Sequence, residues 1–515
     1  MKLASSILIA CLLISLRAPA QVDDLGETSH RAKELMAEGR FSEAVPLYEQ
    51  LVRALPDNAG LITNLGMALH MSGQYGKATK QFEAALKLQP SNLPAALFLG
   101  SARVQLGQPK LAIPALEKVV RTQPDNRDAQ QLLAEALYAI GEFKQSAQHF
   151  KKFSELAADK PAAWYGLGRS YEELSQKSFE QLAQIAPGSA YWLAMVADAR
   201  AKQQQYSSAF YLYRQALAKR SDLPGVHKKI GEIYSKTGHA DWAQAENEQE
   251  RTFSFANCAS QKLACEFQQA QYDQIVARTA PKQTAESCYW QALAYNELAL
   301  EAFAHLGQLP ASPQMHELKA EILHNQRRYL DAAQELREAL QLSPGDAHLR
   351  RQLAISLRLA RDYAGAKAIL QELIEQQPES ADLNYLLGDT LLNLQQVEDA
   401  LPLLKKAVAL SPRFGSAHAS LGRAYLQIGD AKSAVPHLKA ALDTDRDGAL
   451  HYQIAHAYQM TGQQELAQVA LKEYQKLQQA AAEEKESAEK EVKILPPEPA
   501  STGARVRAPQ APDQP

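Results

Sequence analysis

Apolar residues along this chain fall three and four positions apart, break at a short polar turn, and resume at the same spacing. Residues 59–92, AGLITNLGMALHMSGQYGKATKQFEAALKLQPSN, show the unit. The spacing on both sides of Ser72-Gly73-Gln74 predicts two amphipathic helices joined by a tight turn. Gly73 suits the left-handed conformation that closes a helix, and Pro90, which lacks an amide donor, stops the second helix. Gly66 and Ala78 are small where larger side chains would hold the paired helices apart, and Leu65 and Phe82 supply packing bulk.

The unit recurs with a fixed period. Alanine returns at one constant interval at Ala44, Ala78 and Ala112, then at Ala332, Ala366, Ala400 and Ala434. Proline keeps the same beat at Pro56, Pro90 and Pro124, then at Pro344, Pro378 and Pro412. A period this long is the mark of a repeat array, in which each unit buries its apolar face on its neighbours. Regular copies start at Leu25, Ala59, Leu93, Arg127, Ala190, Pro224, Pro313, Ala347, Ala381, Gly415 and Gly448. Residues 161–189 and 285–312 read as two degenerate helical pairs. They resemble each other: Tyr171, Leu174, Phe179 and Leu182 match Tyr295, Leu298, Phe303 and Leu306. Duplication of a larger block is the expected origin of this match.

Leu65-Gly66, Ala78, Phe82, Ala85 and Pro90 together resemble the tetratricopeptide repeat, and Leu167-Gly168 with Tyr171, Ile230-Gly231 with Tyr234, Leu387-Gly388, and Leu421-Gly422 with Tyr425 repeat its first-helix signature. The resemblance implies an all-α fold, a right-handed superhelical solenoid of helix-turn-helix repeats. In that family the first helix of each repeat lines a concave groove. Carried onto this chain, its inward positions give a candidate peptide-binding groove of Tyr165, Arg169, Tyr191, Arg351, Arg358, Tyr385, Asp389, Arg423, Tyr452 and His456. Tyrosine and arginine are residue types that tend to dominate binding energy at interfaces. Asn64 stands at one position of the family's carboxylate clamp, but Ser29, Lys33, Pro94 and Phe98 flank it, so no clamp is expected.

Composition narrows the function further. A net charge of −3, with basic and acidic residues interspersed, excludes an electrostatic footprint for nucleic acid or anionic lipid. Residues 1–20 carry Lys2, an apolar run from Leu3 to Leu16, and Ala18-Pro19-Ala20, which predicts a secretory signal cleaved near Ala20 to leave Gln21. The rival is a lipoprotein signal ending at Cys11, which would anchor the chain to a membrane; otherwise membrane contact is expected only through a partner. The expected location is the periplasm or cell exterior. Of the remaining cysteines, Cys258 and Cys265 are candidates for a disulfide, which is left open, and Cys288 reads as a buried thiol. The expected organisation is a repeat block over 21–257, an irregular insertion over 258–284, a second repeat block over 285–481 and a charged, then Pro-rich, disordered tail over 482–515, with the last helix running into its charged part.

Motifs of catalysis are not found. The histidines form no H-E-x-x-H, and His227 and His316 read as packed core histidines. Gly73-Gln-Tyr-Gly76-Lys77 resembles a phosphate loop only briefly: Met71 stands where the first glycine belongs, and no strand precedes it. No cofactor or metal is expected. The function expected is a non-enzymatic scaffold that binds protein or peptide segments. The alternatives are an adaptor subunit of an envelope assembly, polysaccharide export or secretion machine and, last, an enzyme with an unrecognised site.

Overall fold

The structure, a computed structural model, describes residues 19–254, 258, 261–279, 283–445, 447–489 and 494–497. Every regular element among them is helical. The first four repeats are α1 (Pro19–Ala37) with α2 (Phe41–Ala54), α3 (Ala59–Met71) with α4 (Tyr75–Leu88), α5 (Leu93–Gln105) with α6 (Pro109–Thr122), and α7 (Arg127–Ala139) with α8 (Phe143–Leu156). Then come the long α9 (Pro161–Ile185), the pairs α10 (Ala190–Lys202) with α11 (Tyr206–Lys219) and α12 (Val226–Lys236) with α13 (Ala240–Ser254), and the short α14 (Lys262–Gln268) and α15 (Tyr272–Thr279). A second long helix, α16 (Ala285–Gln308), precedes five further pairs. These are α17 (Pro313–Asn325) with α18 (Tyr329–Leu342), α19 (Ala347–Leu359) with α20 (Tyr363–Gln376), α21 (Ala381–Asn393) with α22 (Val397–Leu410), α23 (Gly415–Gln427) with α24 (Ala431–Ala440), and α25 (Ala449–Met460) with α26 (Gln464–Glu489). The fold is an all-α repeat solenoid.

The periodic residues have a common physical role. Every alanine of the beat, from Ala44 to Ala434, is fully buried. Opposite them, glycines of the first helices lie against large side chains of the second. A Cβ on Gly66 would stand 2.5 Å from Cε1 of Phe82, one on Gly388 2.8 Å from Cγ of Leu404, and one on Gly422 2.6 Å from Cγ of Leu438. The separation along the chain is the same in each pair, so one small-to-large contact, repeated in register, closes each of these hairpins. First helices are capped by short polar side chains. Asn58, Asn92, Asn126, Ser189, Ser312, Asp346 and Ser380 each accept a backbone N–H from the first turn, a contact worth about 1 kcal/mol apiece.

Some segments depart from the repeat register. The segments read as degenerate pairs, 161–189 and 285–312, are not pairs: α9 and α16 run on as single helices. At the turn position, Leu174 to Lys177, no residue takes the left-handed conformation that closes the first helix of the other pairs, and α9 continues to Ile185, just before Pro187 and Gly188. Within 258–284, where an irregular insertion is expected, α14 and α15 form a shortened helical pair whose turn residue Ala270 has φ 54°, at the position the glycines occupy elsewhere. The helices group into two compact units, Met1–Gln176 with Tyr295–Gln308 and Lys177–Ala294 with Leu309–Pro515. At the amino end, α1 begins at Pro19 and passes through the expected cleavage point after Ala20. The rest of the expected signal, Cys11 included, lies outside the described residues, as do 498–515 of the expected tail.

Each unit has its own core. In the first, Trp164 stacks on His305 at 4.3 Å and Tyr171 on Tyr295 at 5.9 Å between ring centroids, joining the early turns of α9 to the late turns of α16. In the second, Tyr213, Tyr234, Tyr289 and Ile230 are among the largest fully buried side chains.

Two substitutions test the packing and the turns. Ala78→Trp is expected to cost about 1–3 kcal/mol or more, because overpacking at a closed helix crossing forces the neighbours apart; an unchanged thermal midpoint would contradict the assigned register. Gln395 holds φ 63° at a turn where Gly73 sits at φ 78°. Gln395→Gly is expected to raise stability by about 1 kcal/mol, since the left-handed conformation is strained for a side chain with a Cβ. The urea midpoint checks it.

Candidate functional site

Five of the candidate groove residues come together on α19, α21 and α23 of the second unit. Asp389, whose side chain is only 6% exposed, lies between two arginines. Arg358 donates from Nη1 to its Oδ2 at 2.7 Å, and Arg423 donates from Nη2 to its Oδ1 at 2.5 Å. Ser420 Oγ donates to the same Oδ1 at 2.7 Å. Asn393 donates to the Asp389 backbone carbonyl at 2.7 Å. Earlier on the same helices, Arg351 donates from Nε to Oδ2 of Asp382 at 2.8 Å. Tyr385 packs edge-on against Phe414 at 4.9 Å. Burial raises its phenol pKa, the Asp389 carboxylate adds to the rise, and Arg358 and Arg423 oppose it.

The spacing explains why these residues meet. Arg351 and Asp382, Arg358 and Asp389, and Asp389 and Ser420 are each 31 residues apart. That is slightly less than one repeat period, so it joins a position on one first helix to the position one turn earlier on the next. His70 with Ser101 and Glu317 with His348 obey the same rule. Sequence reasoning missed Asp382, Ser420 and Asn393; opposite charges at this constant spacing were the available signal. Three arginines against two aspartates leave the cluster net positive. Arg358 is 20% exposed and Arg423 38% exposed at the side chain, so the outer guanidinium faces solvent. A planar guanidinium at such a face suits carboxylates and other planar acceptors.

The other candidates stand apart from this cluster. Tyr165 and Arg169 belong to the first unit, where Arg169 pairs with Glu172 at 3.0 Å. Tyr191 is buried in the second unit rather than open to a ligand: its ring packs on Tyr289 at 5.1 Å, the Arg220 guanidinium lies 5.2 Å from the ring centroid, and Arg220 donates to its hydroxyl. Burial pushes its pKa well up. Tyr452 and His456 are exposed on α25, with Tyr452 5.5 Å from the ring of Tyr474.

Cys258 and Cys265 are joined by a disulfide with Cα atoms 5.7 Å apart, and Cys288 is a buried free thiol whose pKa is raised by burial. His227 is buried with Nδ1 2.6 Å from Glu246, and His316 Nδ1 is 2.7 Å from Glu335. Among the described residues no three His, Cys, Asp or Glu side chains converge on a metal-ion site, and no helix is long and apolar enough to cross a membrane.

Residues 35–97, 69–135 and 103–171 match one family model described as tetratricopeptide repeat, and residues 283–347, 351–413 and 385–450 match another of the same description. Together they take in more than half of the chain. MamA 41-end from Desulfovibrio magneticus RS-1 is 24% identical over 29% of this chain and 84% of its own, with a TM-score of 0.28. MamA from AMB-1 is 28% identical over 29% of this chain and 88% of its own, at 0.28, and MamA from MSR-1 is 23% identical over 33% and 98%, at 0.29. No curated protein matches the chain.

Removing Asp389 would leave Arg358 without its counter-charge in a mostly buried place. Asp389→Ala is therefore expected to cost about 3 kcal/mol. Arg351→Ala, which opens a pair with both side chains 39% exposed, is expected to cost under about 1 kcal/mol. Urea denaturation separates the two; equal shifts would remove the special place of Asp389.

Proposed function

We propose that this chain, which belongs to the tetratricopeptide repeat family, is an exported scaffold that holds a segment of a partner protein on the first helices α19, α21 and α23. The family makes it a protein-interaction scaffold; which segment it holds, and where in the cell, is the proposal. One observation carries it. Asp389 is committed to two arginines and a serine, which fixes Arg423 as a rigid, solvent-facing guanidinium beside the half-buried ring of Tyr385. A cation already positioned loses little freedom on binding, and an adjacent aromatic face adds apolar area. The partner chemistry that fits is a peptide or helix segment presenting a carboxylate next to an apolar side chain.

Export is proposed from residues 1–20 alone, where a basic residue, an apolar run and a small-x-small site stand in order. The role proposed is binding: the charged residues of the cluster are salt-bridged to one another, and the Ser420 hydroxyl is held by Asp389.

The test is affinity capture from an envelope extract with residues 21–515, beside an Arg351→Ala/Arg423→Ala variant. Arg358 remains to compensate Asp389 in that variant, so the fold is expected to persist, and circular dichroism checks it. A protein retained by the first and lost from the second supports the site. An identical catch from both would put recognition elsewhere on the chain.

A further inference from the structure

Tyr234, in α12, is a fully buried tyrosine. It packs against Phe210 at 5.6 Å and edge-on against Trp242 at 5.5 Å, and Trp242 in turn stacks on His239 at 4.2 Å. A buried phenol needs a partner for its hydroxyl. That partner is not a neighbour in the repeat: the Tyr234 hydroxyl donates to the backbone carbonyl of Leu495, 261 residues further along the chain. Beside it, Ile494 packs as a partly buried side chain on the apolar cluster that contains Tyr234, Phe210 and Ile230. Burial, with the Glu246 carboxylate adding to it, raises the Tyr234 pKa to about 12, so the hydroxyl stays a proton donor throughout the physiological range.

The segment that supplies the carbonyl is suited to the task. Leu495 precedes Pro496, and Pro496 precedes Pro497. A residue before proline is driven out of the helical region, and consecutive prolines hold an extended conformation. Residues 494–497 carry no helix. The carbonyl of Leu495 is therefore not taken up by a helical ladder, and little conformational entropy is lost when it docks. Aromatic surfaces that receive Pro-rich extended segments are a recurring mode of peptide recognition. The final helix brings the segment within reach: α26 has 26 residues, a span of about 39 Å at the helical rise.

We propose that Tyr234 and Trp242 mark a second peptide-docking site, for an extended aliphatic segment followed by proline. The chain's own Ile494–Leu495–Pro496–Pro497 occupies it in cis. The tail is then a tethered ligand that an outside segment of the same kind must displace. The site lies on α12 and α13 and does not rest on the cluster around Asp389.

The test uses the full chain and a labelled peptide of residues 491–500, EVKILPPEPA, followed by fluorescence anisotropy. In the parent chain the tethered segment competes at the high effective concentration of an intramolecular ligand, so the peptide binds weakly. Ile494→Asp in the full chain breaks the cis contact without touching a repeat, and the peptide is expected to bind about tenfold or more tighter. Adding Tyr234→Phe to that variant removes only the donor and is expected to reverse much of the gain, with far-UV circular dichroism unchanged. Equal affinity for the parent and Ile494→Asp chains would overturn the proposal, as would indifference to Tyr234→Phe. A parent dimer that dissociates in the Ile494→Asp chain would place the segment on a second copy and overturn the cis arrangement.

Discussion

The close approach of a glycine on a first helix to a large side chain on the second, repeated along the chain, is the contact on which the rest depends. Gly66 against Phe82, Gly388 against Leu404 and Gly422 against Leu438 leave no room for even a Cβ, and the fully buried alanines of the beat continue the same seam. Interiors are close-packed, so a seam of this kind sets the distance between paired helices within narrow limits. Once that distance and the constant repeat step are set, neighbouring first helices within a run of regular repeats present equivalent positions to one another. Caps at Asn58, Asn92 and Asn126 then start each helix at the same register.

The polar chemistry follows from that regularity. Because successive first helices lie side by side, a side chain on one reaches a partner just short of a full repeat further along. The aspartate at 389 is thereby buried against Arg358 and Arg423 at once. Burying a carboxylate is costly unless it is paired and hydrogen-bonded, and here both guanidinium groups and Ser420 meet that cost. The result is an arginine held in place at the surface.

The interruptions in the register are informative in the same terms. α9 and α16 lack a breaker where the others have glycine or a strained left-handed residue, and they pass through the turn as continuous helix. The pair α14 and α15 keeps the turn but shortens both arms, with Cys258 and Cys265 bonded at its entrance. The pair that precedes it in the chain, α12 with α13, carries the aromatic cluster of Tyr234, Trp242 and His239, which takes up a segment from the far end of the chain.

Local pattern was enough for the repeat. Helix starts at Ala59, Leu93, Arg127, Ala190, Pro313, Ala347, Ala381 and Gly415 coincide with the positions read from the alanine and proline beat. Capping, turn and packing signals are all carried within a single repeat unit, so they are readable without a fold. Groove positions were legible only in part. Arg351, Arg358, Tyr385, Asp389 and Arg423 share one neighbourhood, whereas Tyr191 is buried by Tyr289 of α16 and by Arg220 at the end of its own repeat. Periodicity specifies which face a residue takes, but not what the rest of the chain lays over that face. Burial of Tyr191, the stacking of α9 on α16 and the docking of Leu495 on Tyr234 are contacts that the repeat pattern does not specify, and only the tertiary structure decided them.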